Sequence, residues 1–249
     1  MSNLRFYSSE NLATGTTVKL SENAAAHATR VLRLNVGDTI KLFNGDGFDY
    51  TCELISIKKS EVLAKALAQF AVKNESPLNI TLLQGISSGD RMDYTIQKAV
   101  ELGVTEIQPI STERSVVKLS AERTEKRLAH WQSVVHSACE QSGRAKIPHV
   151  AIPISLAAWL QANSYEGAGL NTFTRILLNP VGATLLAALP KTTQNIQLLI
   201  GAEGGLSQAE IGLATNHGFQ SIILGPRILR TETAALVAIS ALQTLWGDF

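Results

Sequence analysis

Arg227, Arg230 and Glu232 stand close together in Gly225-Pro226-Arg227-Ile228-Leu229-Arg230-Thr231-Glu232, directly after the apolar run Ile222-Ile223-Leu224. Glu203 stands in Gly201-Ala202-Glu203-Gly204-Gly205, directly after Ile196-Gln197-Leu198-Leu199-Ile200. Charged side chains beside glycine are the parts of a ligand-binding mouth. The charges hold or polarise a ligand, and glycine lets backbone N–H and C=O groups approach it without a Cβ in the way. Buried strands that end in such turns place ligands at the carboxyl edge of a parallel sheet, so this edge is the candidate active site. Each turn also opens a helix. Ser207 and Glu210 have the spacing of a capping box, and Thr231 with Glu232 reads as an N-cap followed by an acid at the positive end of the helix dipole. A helix start accounts for Thr231 and Glu232 in part, but not for two adjacent strands finishing in the same way.

Rival motifs are weaker. Nothing fits the dinucleotide pattern GxGxxG or the phosphate loop GxxxxGK[ST]. Gly85-Ile86-Ser87-Ser88-Gly89 matches the nucleophile elbow GxSxG after a strand, which keeps a serine hydrolase using Ser87 as a lesser alternative. Its triad is incomplete, because the only aspartate after Asp93 is Asp248, behind every histidine, and a glutamate would have to substitute. Cys52 and Cys139 lie far apart without a CxxC and read as small core residues. The five histidines show neither HxH nor HExxH spacing, so no metal is expected. Basic residues gather between Glu113 and His149: Arg114, Lys118, Arg123, Lys126, Arg127, Arg144 and Lys146. Interspersed acids make Arg123, Lys126 and Arg127 a solvated helix face. Arg114 and Arg144 sit in short polar segments at element ends, where a guanidinium can reach a phosphate.

These residues need a sheet to hold them, and the sequence supplies one. Up to about Phe70 the pattern is of short strands, with Asn44-Gly45-Asp46-Gly47 as a hairpin signal between Thr39–Phe43 and Tyr50–Ile57. One helix, about Ser21 to Val31, interrupts what reads as a small β-barrel. The polar segment Lys73 to Pro77 reads as a linker. Beyond it strands and helices alternate, as in a mostly parallel sheet covered on both faces. Strands are expected at Asn79–Gly85, Val104–Ile110, Arg175–Leu178, Ile196–Ile200 and Gln220–Leu224. Helices are expected at Arg91–Leu102, Ala121–Gln141, Gln208–His217 and Thr231–Trp246. The division falls at residues 1–73 and 74–249. The last helix is apolar on several sides, which favours a homodimer. The net charge of +1 gives no global argument for nucleic acid. No apolar run approaches a membrane span and no signal peptide is evident, so a cytoplasmic protein is expected.

Ile200 to Ser207 together with Leu224 to Ala234 resembles the RsmE family of ribosomal RNA methyltransferases. Gln97 to Val104, Glu113-Arg114-Ser115, Glu140 to Arg144 and His27 to Arg33 with Gly37-Asp38 look like that family's blocks in the same order. One departure is visible: the family commonly has proline where Ala202 stands. The resemblance implies a SPOUT-class α/β domain with a trefoil knot, preceded by a PUA-like barrel that binds RNA. It implies S-adenosylmethionine bent in the knot, paired subunits, and methyl transfer to N3 of one uridine of 16S rRNA in the small ribosomal subunit. Adenine would lie against Leu224, Ile228 and Leu229, near Leu178, Pro180, Ile200, Gly201, Glu203 and Gly204. Gly225, Arg230, Thr233 and Ala234 would complete that site. Arg230 would stabilise the uracil anion, with Glu203 or Glu232 accepting its proton or orienting Arg230. Arg30, Arg33, Arg114 and Arg144 would contact RNA phosphates. A non-catalytic, dimeric RNA-binding protein is the alternative from another class.

Overall fold

A computed structural model describes residues 4–59, 61–115, 121–164, 173–181, 184–191 and 193–249. The chain parts into two compact units, Met1–Glu75 with His136–Ile147, and Ser76–Val135 with Pro148–Phe249. A single cut in sequence does not capture the return of residues 136–147 to the first unit.

That unit is a five-stranded mixed sheet. Its strands are β1 (Arg5–Tyr7), β2 (Thr17–Lys19), β3 (Thr39–Phe43), β4 (Phe48–Lys58) and β5 (Glu61–Ala71), in the order β1-β3-β4-β5-β2. β1 runs parallel to β3 and the other pairs are antiparallel. The expected barrel is thus a sheet whose end strands do not pair among the described residues. Between β3 and β4 the Asn44 side chain accepts from the Asp46 N–H and the Asp46 carboxylate from the Phe48 N–H, which sets the turn. Phe6, Ile40, Leu42, Leu54, Val62 and Ala64 form the core. The expected helix is α1 (Glu22–Ala26), capped by the Ser21 hydroxyl, running into a π-helical turn over His27–Val31.

Arg5 explains why residues 136–147 belong here. Its guanidinium donates to Asp49 at 2.9 Å and to the carbonyls of Cys139 and Arg144 at 2.6 and 2.9 Å, and lies 3.7 Å from the centre of the Phe43 ring. Four partners around one buried cation satisfy a charge that would otherwise be costly to bury. Cys52 and Cys139 are both free core residues, and burial pushes their thiols up to about 11 and about 12.

In the second unit every strand pair is parallel. β6 (Asn79–Gly85), β7 (Glu106–Ser111), β8 (His149–Val150), β10 (Thr174–Leu178), β11 (Thr184–Leu185), β12 (Asn195–Ile200) and β13 (Gln220–Ile223) follow the order β11-β13-β10-β12-β6-β7-β8, and β9 (Ile154–Ser155) pairs with β7. Leu83, Leu177 and Leu199 pack with Trp159 and Leu160 of α4 (Leu156–Ala162) and Ala214 of α5 (Gln208–Asn216). Because side chains alternate along a strand, Leu82 and Leu198 point to the opposite face. There α6 (Thr231–Trp246) packs on β12 and against α2 (Asp90–Glu101). Both faces are covered, which is why these strands read as continuous apolar runs. α2 ends at Gly103, φ +92, and Gln243 of α6 donates to the exposed end carbonyl of Leu102 at 2.8 Å. The stripe Trp131, Val135 and Ala138 of α3 (Ala121–Ser142) is buried, and Lys126 pairs with Glu122 one turn back. Lys118 lies outside the described residues. No helix among the described residues is long and apolar enough to cross a membrane.

Candidate functional site

At the carboxyl edge of the second unit's sheet lies a cleft of about 380 Å³. Three chain exits build it: residues 178–181 after β10, 200–206 after β12 and 222–232 after β13. The sequence reading took the two glycine turns as neighbours. In the sheet β10 lies between β12 and β13, so Leu178 to Val181 form a third wall. Of the residues expected to hold a cofactor, Leu178, Pro180, Ile200, Gly201, Glu203, Gly204, Leu224, Gly225, Ile228, Leu229, Arg230 and Ala234 all line the cleft. Thr233 stands outside that lining. Its side chain is exposed, because one helical step past Glu232 carries it off the inward face of α6.

The glycines act chiefly on the chain itself. A Cβ on Gly85, the last residue of β6, would overlap the Ala202 nitrogen, and one on Gly201 would lie 2.7 Å from the Gly205 carbonyl carbon. Their absence lets β6, the β12 exit and the following turn touch backbone to backbone. That turn closes through the Gly205 N–H donating to the Ala202 carbonyl at 2.8 Å. Gly225 differs: its φ of +144 needs glycine, and a Cβ there would meet nothing within 4 Å.

Two carboxylates line the cleft and their surroundings separate them. One oxygen of Glu203 accepts from the Ser88 N–H at 2.9 Å, the Ser88 hydroxyl at 3.0 Å and Arg91 at 3.0 Å. Burial works against its charged form. The Ser88 N–H, the backbone N–H of Glu203, the Ser88 hydroxyl and Arg91 together outweigh that and hold the carboxyl below its ordinary range. Glu232 stands in the first turn of α6, where the positive end of the helix dipole suits an acid, and its Oε2 is buried with no partner among the described residues. Glu232 also lines the cleft, so its carboxylate stands at the cleft wall with one oxygen lacking a donor among the described residues.

Thr231 is not the side-chain cap the sequence suggested. Arg230 holds the N-cap position through its backbone alone, and the Thr231 hydroxyl turns inward to donate to the Gly201 carbonyl at 2.5 Å. Arg227 and Arg230 are exposed on the cleft and have no ion pair among the described residues. Arg114 lines the cleft too, donating to the Gly204 carbonyl at 3.2 Å. Arg91 and Thr231 also line the cleft, and Gln84 donates to the Thr231 hydroxyl; sequence reasoning gave none of the three a place in the site. The signal for Gln84 was a lone polar residue at the end of an apolar strand.

The remaining expectations divide. Arg30 lies exposed in the π-helical turn, and Arg33 follows it, exposed, at φ +56. Arg144 is a correction. It is 4% exposed, and its guanidinium pairs with Glu75 at 2.6 Å, so it braces the first unit instead of meeting a phosphate. Ser87 is buried with its hydroxyl toward the Gly85 carbonyl, and no histidine lines the cleft, so the hydrolase alternative has no base here.

A family model described as RNA methyltransferase domain matches residues 74–243, and one described as RNA methyltransferase PUA domain matches residues 20–67. The crystal structure of a ribosomal RNA small subunit methyltransferase E from Neisseria gonorrhoeae, bound to S-adenosyl methionine, is 46% identical in sequence. It has a TM-score of 0.88 over 98% of both chains. A putative methyltransferase of Legionella pneumophila in complex with the same cofactor is 37% identical, with a TM-score of 0.92 over 100% of both chains. The ribosomal RNA small subunit methyltransferase E of Buchnera aphidicola is 34% identical over 98% of this chain and 94% of its own length.

Proposed function

Because this chain belongs to the RsmE family of S-adenosylmethionine-dependent 16S ribosomal RNA methyltransferases, we propose that it methylates N3 of one uridine in the small ribosomal subunit. The observation that carries the assignment is the pairing, in one cleft, of a buried carboxylate oxygen lacking a donor with an arginine lacking an acid among the described residues. Uracil N3 needs both, since its proton must leave and the resulting anion must be held.

The cleft fits the cofactor in character. Leu178, Ile200, Leu224 and Leu229 offer apolar walls to a nucleoside, and the polar backbone of the turns stands beside them. S-adenosylmethionine supplies an electrophilic methyl group on a sulfonium. This chain's residues do the rest. The Glu232 carboxylate accepts the N3 proton, Arg230 stabilises the negative charge left on the ring, and Glu203 anchors the loop 201–205 to Ser88 and Arg91. Arg230→Ala should lower kcat about a hundredfold while calorimetry still shows cofactor binding. The proposal itself is tested by methyl transfer to intact small subunits compared with free 16S rRNA, with the product mapped to N3 of uridine. A methyl group on carbon, ribose or another base would refute it.

The first unit, residues 1–75 with 136–147, serves as the RNA-binding PUA domain, and the second as the SPOUT domain. β13 lies beyond β10 although β12 precedes it in sequence, and the chain then returns to the cleft at Thr231, a path that supports a trefoil knot. Val237 and Leu245 stand 40% and 45% exposed on α6, which supports pairing of two subunits there. A substrate in the small ribosomal subunit implies a cytoplasmic enzyme. Arg30 and Arg33 contact phosphates. Replacing both with alanine should weaken RNA binding and reduce the slope of log K against log salt by about 1 for each phosphate no longer neutralised. An unchanged slope would remove them from the interface.

A further inference from the structure

We infer that Thr231 is a positioning residue for methyl transfer, acting through a buried hydrogen-bonded brace from Gln84 to Gly201. The inference rests on the reading of Arg230 and Glu232 given above. Gln84 is wholly buried and Thr231 is 7% exposed. The Gln84 amide nitrogen donates to the Gly85 carbonyl at 3.1 Å and to the Thr231 hydroxyl at 2.9 Å, and that hydroxyl donates to the Gly201 carbonyl at 2.5 Å.

The direction of this chain is set by its ends. The atom of Gly85 that meets the amide is its carbonyl oxygen, so the amide must face it with nitrogen, and that same nitrogen fills the hydroxyl's acceptor side. The single hydroxyl proton is left for Gly201. Gln84 Oε1 consequently has no partner among the described residues. An orphaned buried acceptor is destabilising, so the arrangement is not one that stability alone would select.

Three segments meet at this hydroxyl: the end of β6, the exit of β12 and the first residue of α6. Thr231 stands between Arg230 and Glu232 in sequence, so its bond to Gly201 fixes where both emerge relative to the 201–205 turn. Ile200 and Gln84 are register partners across β12 and β6, so the brace extends a ladder that is already in place.

The test is Thr231→Val, which keeps the side-chain shape and removes the hydroxyl, beside Thr231→Ser, which restores it. On small subunits that the unaltered protein methylates, Thr231→Val should lose about 10- to 100-fold in kcat, as a misplacement of about 1 Å can cause. KM for RNA and the calorimetric Kd for S-adenosylmethionine should each stay within about threefold of the unaltered values, reflecting a loss confined to alignment. Thr231→Ser should return kcat to within about threefold of the unaltered rate, a margin below the alignment loss itself. Amide exchange in residues 201–206 should quicken in the valine variant without cofactor present. Should Thr231→Val not fold, Gln84→Met, which removes the donor and keeps the bulk, must lower kcat in its place. An unchanged kcat in a folded variant, a loss not rescued by serine, or a loss lying wholly in KM would overturn the inference. If the unaltered protein itself failed to methylate uridine N3, the underlying reading would fall instead.

Discussion

Glu232→Gln should abolish most of the activity at neutral pH, with kcat reduced by about 10²- to 10⁴-fold, the range that a positioned general base contributes. Glutamine keeps the length and polarity of the side chain and removes only its ability to take a proton. Fold and cofactor affinity should therefore be little changed. The variant also has a signature in pH. Raising the pH ionises the uracil without help, so the ratio of unaltered to variant rate should shrink as pH rises. A structural role for Glu232 would give a ratio independent of pH. The equivalent change at Glu203 should behave differently, since its acceptor oxygen is already committed to Ser88 and Arg91. Glu203→Gln should release the 201–205 turn from Ser88 and Arg91 and leave the pH profile alone.

The second large effect is expected where a single methyl group has nowhere to go. In Gly85→Ala the added carbon would overlap the Ala202 nitrogen and lie 2.6 Å from the Gly201 carbonyl carbon and 2.9 Å from the Ala202 Cα. All three are backbone atoms, and Gly201 is itself tied to Thr231. Overpacking typically costs about 1–3 kcal/mol, and a clash with tethered backbone belongs at the top of that range. Thermal unfolding should show a Tm lower by roughly 6–12 °C, from about 2–4 °C per kcal/mol at this chain length. The cleft should lose cofactor affinity as the β12 exit is pushed away from β6. Gly212→Ala is the matched control. Gly212 lies within α5 and its Cβ would meet nothing within 4 Å, so the change should be neutral or stabilising by up to about 1 kcal/mol. Equal Tm shifts in the two variants would contradict the close packing described here.

Much of this was legible in the residues before any coordinates. Apolar runs such as Ile196 to Ile200 announce buried parallel strands, and Ser207 with Glu210 forms the complete capping box that its spacing implies. The glycine turns marked the edge where the cleft lies. Three features were not legible, and each depends on distance in the chain. Strand order is invisible to periodicity, so β10 was not placed between β12 and β13. Arg144 reads as a free cation at an element end until Glu75, far away in sequence, is seen to take its charge. The Thr231 hydroxyl looked like a local cap because its partners, Gln84 and Gly201, belong to other strands.

The insertion of β10 between the two glycine-turn strands also governs when the binding surface first exists during synthesis. Its walls come from the ends of β10, β12 and β13, and Thr231 of α6 lines it while hydrogen-bonded to Gln84 of β6. A polypeptide emerging from the ribosome therefore carries no competent surface until residues beyond about 234 have cleared the exit tunnel, however well the first unit has already formed. Ligand affinity should therefore appear only once α6 has joined the sheet edge, in a single step with the Thr231–Gly201 bond.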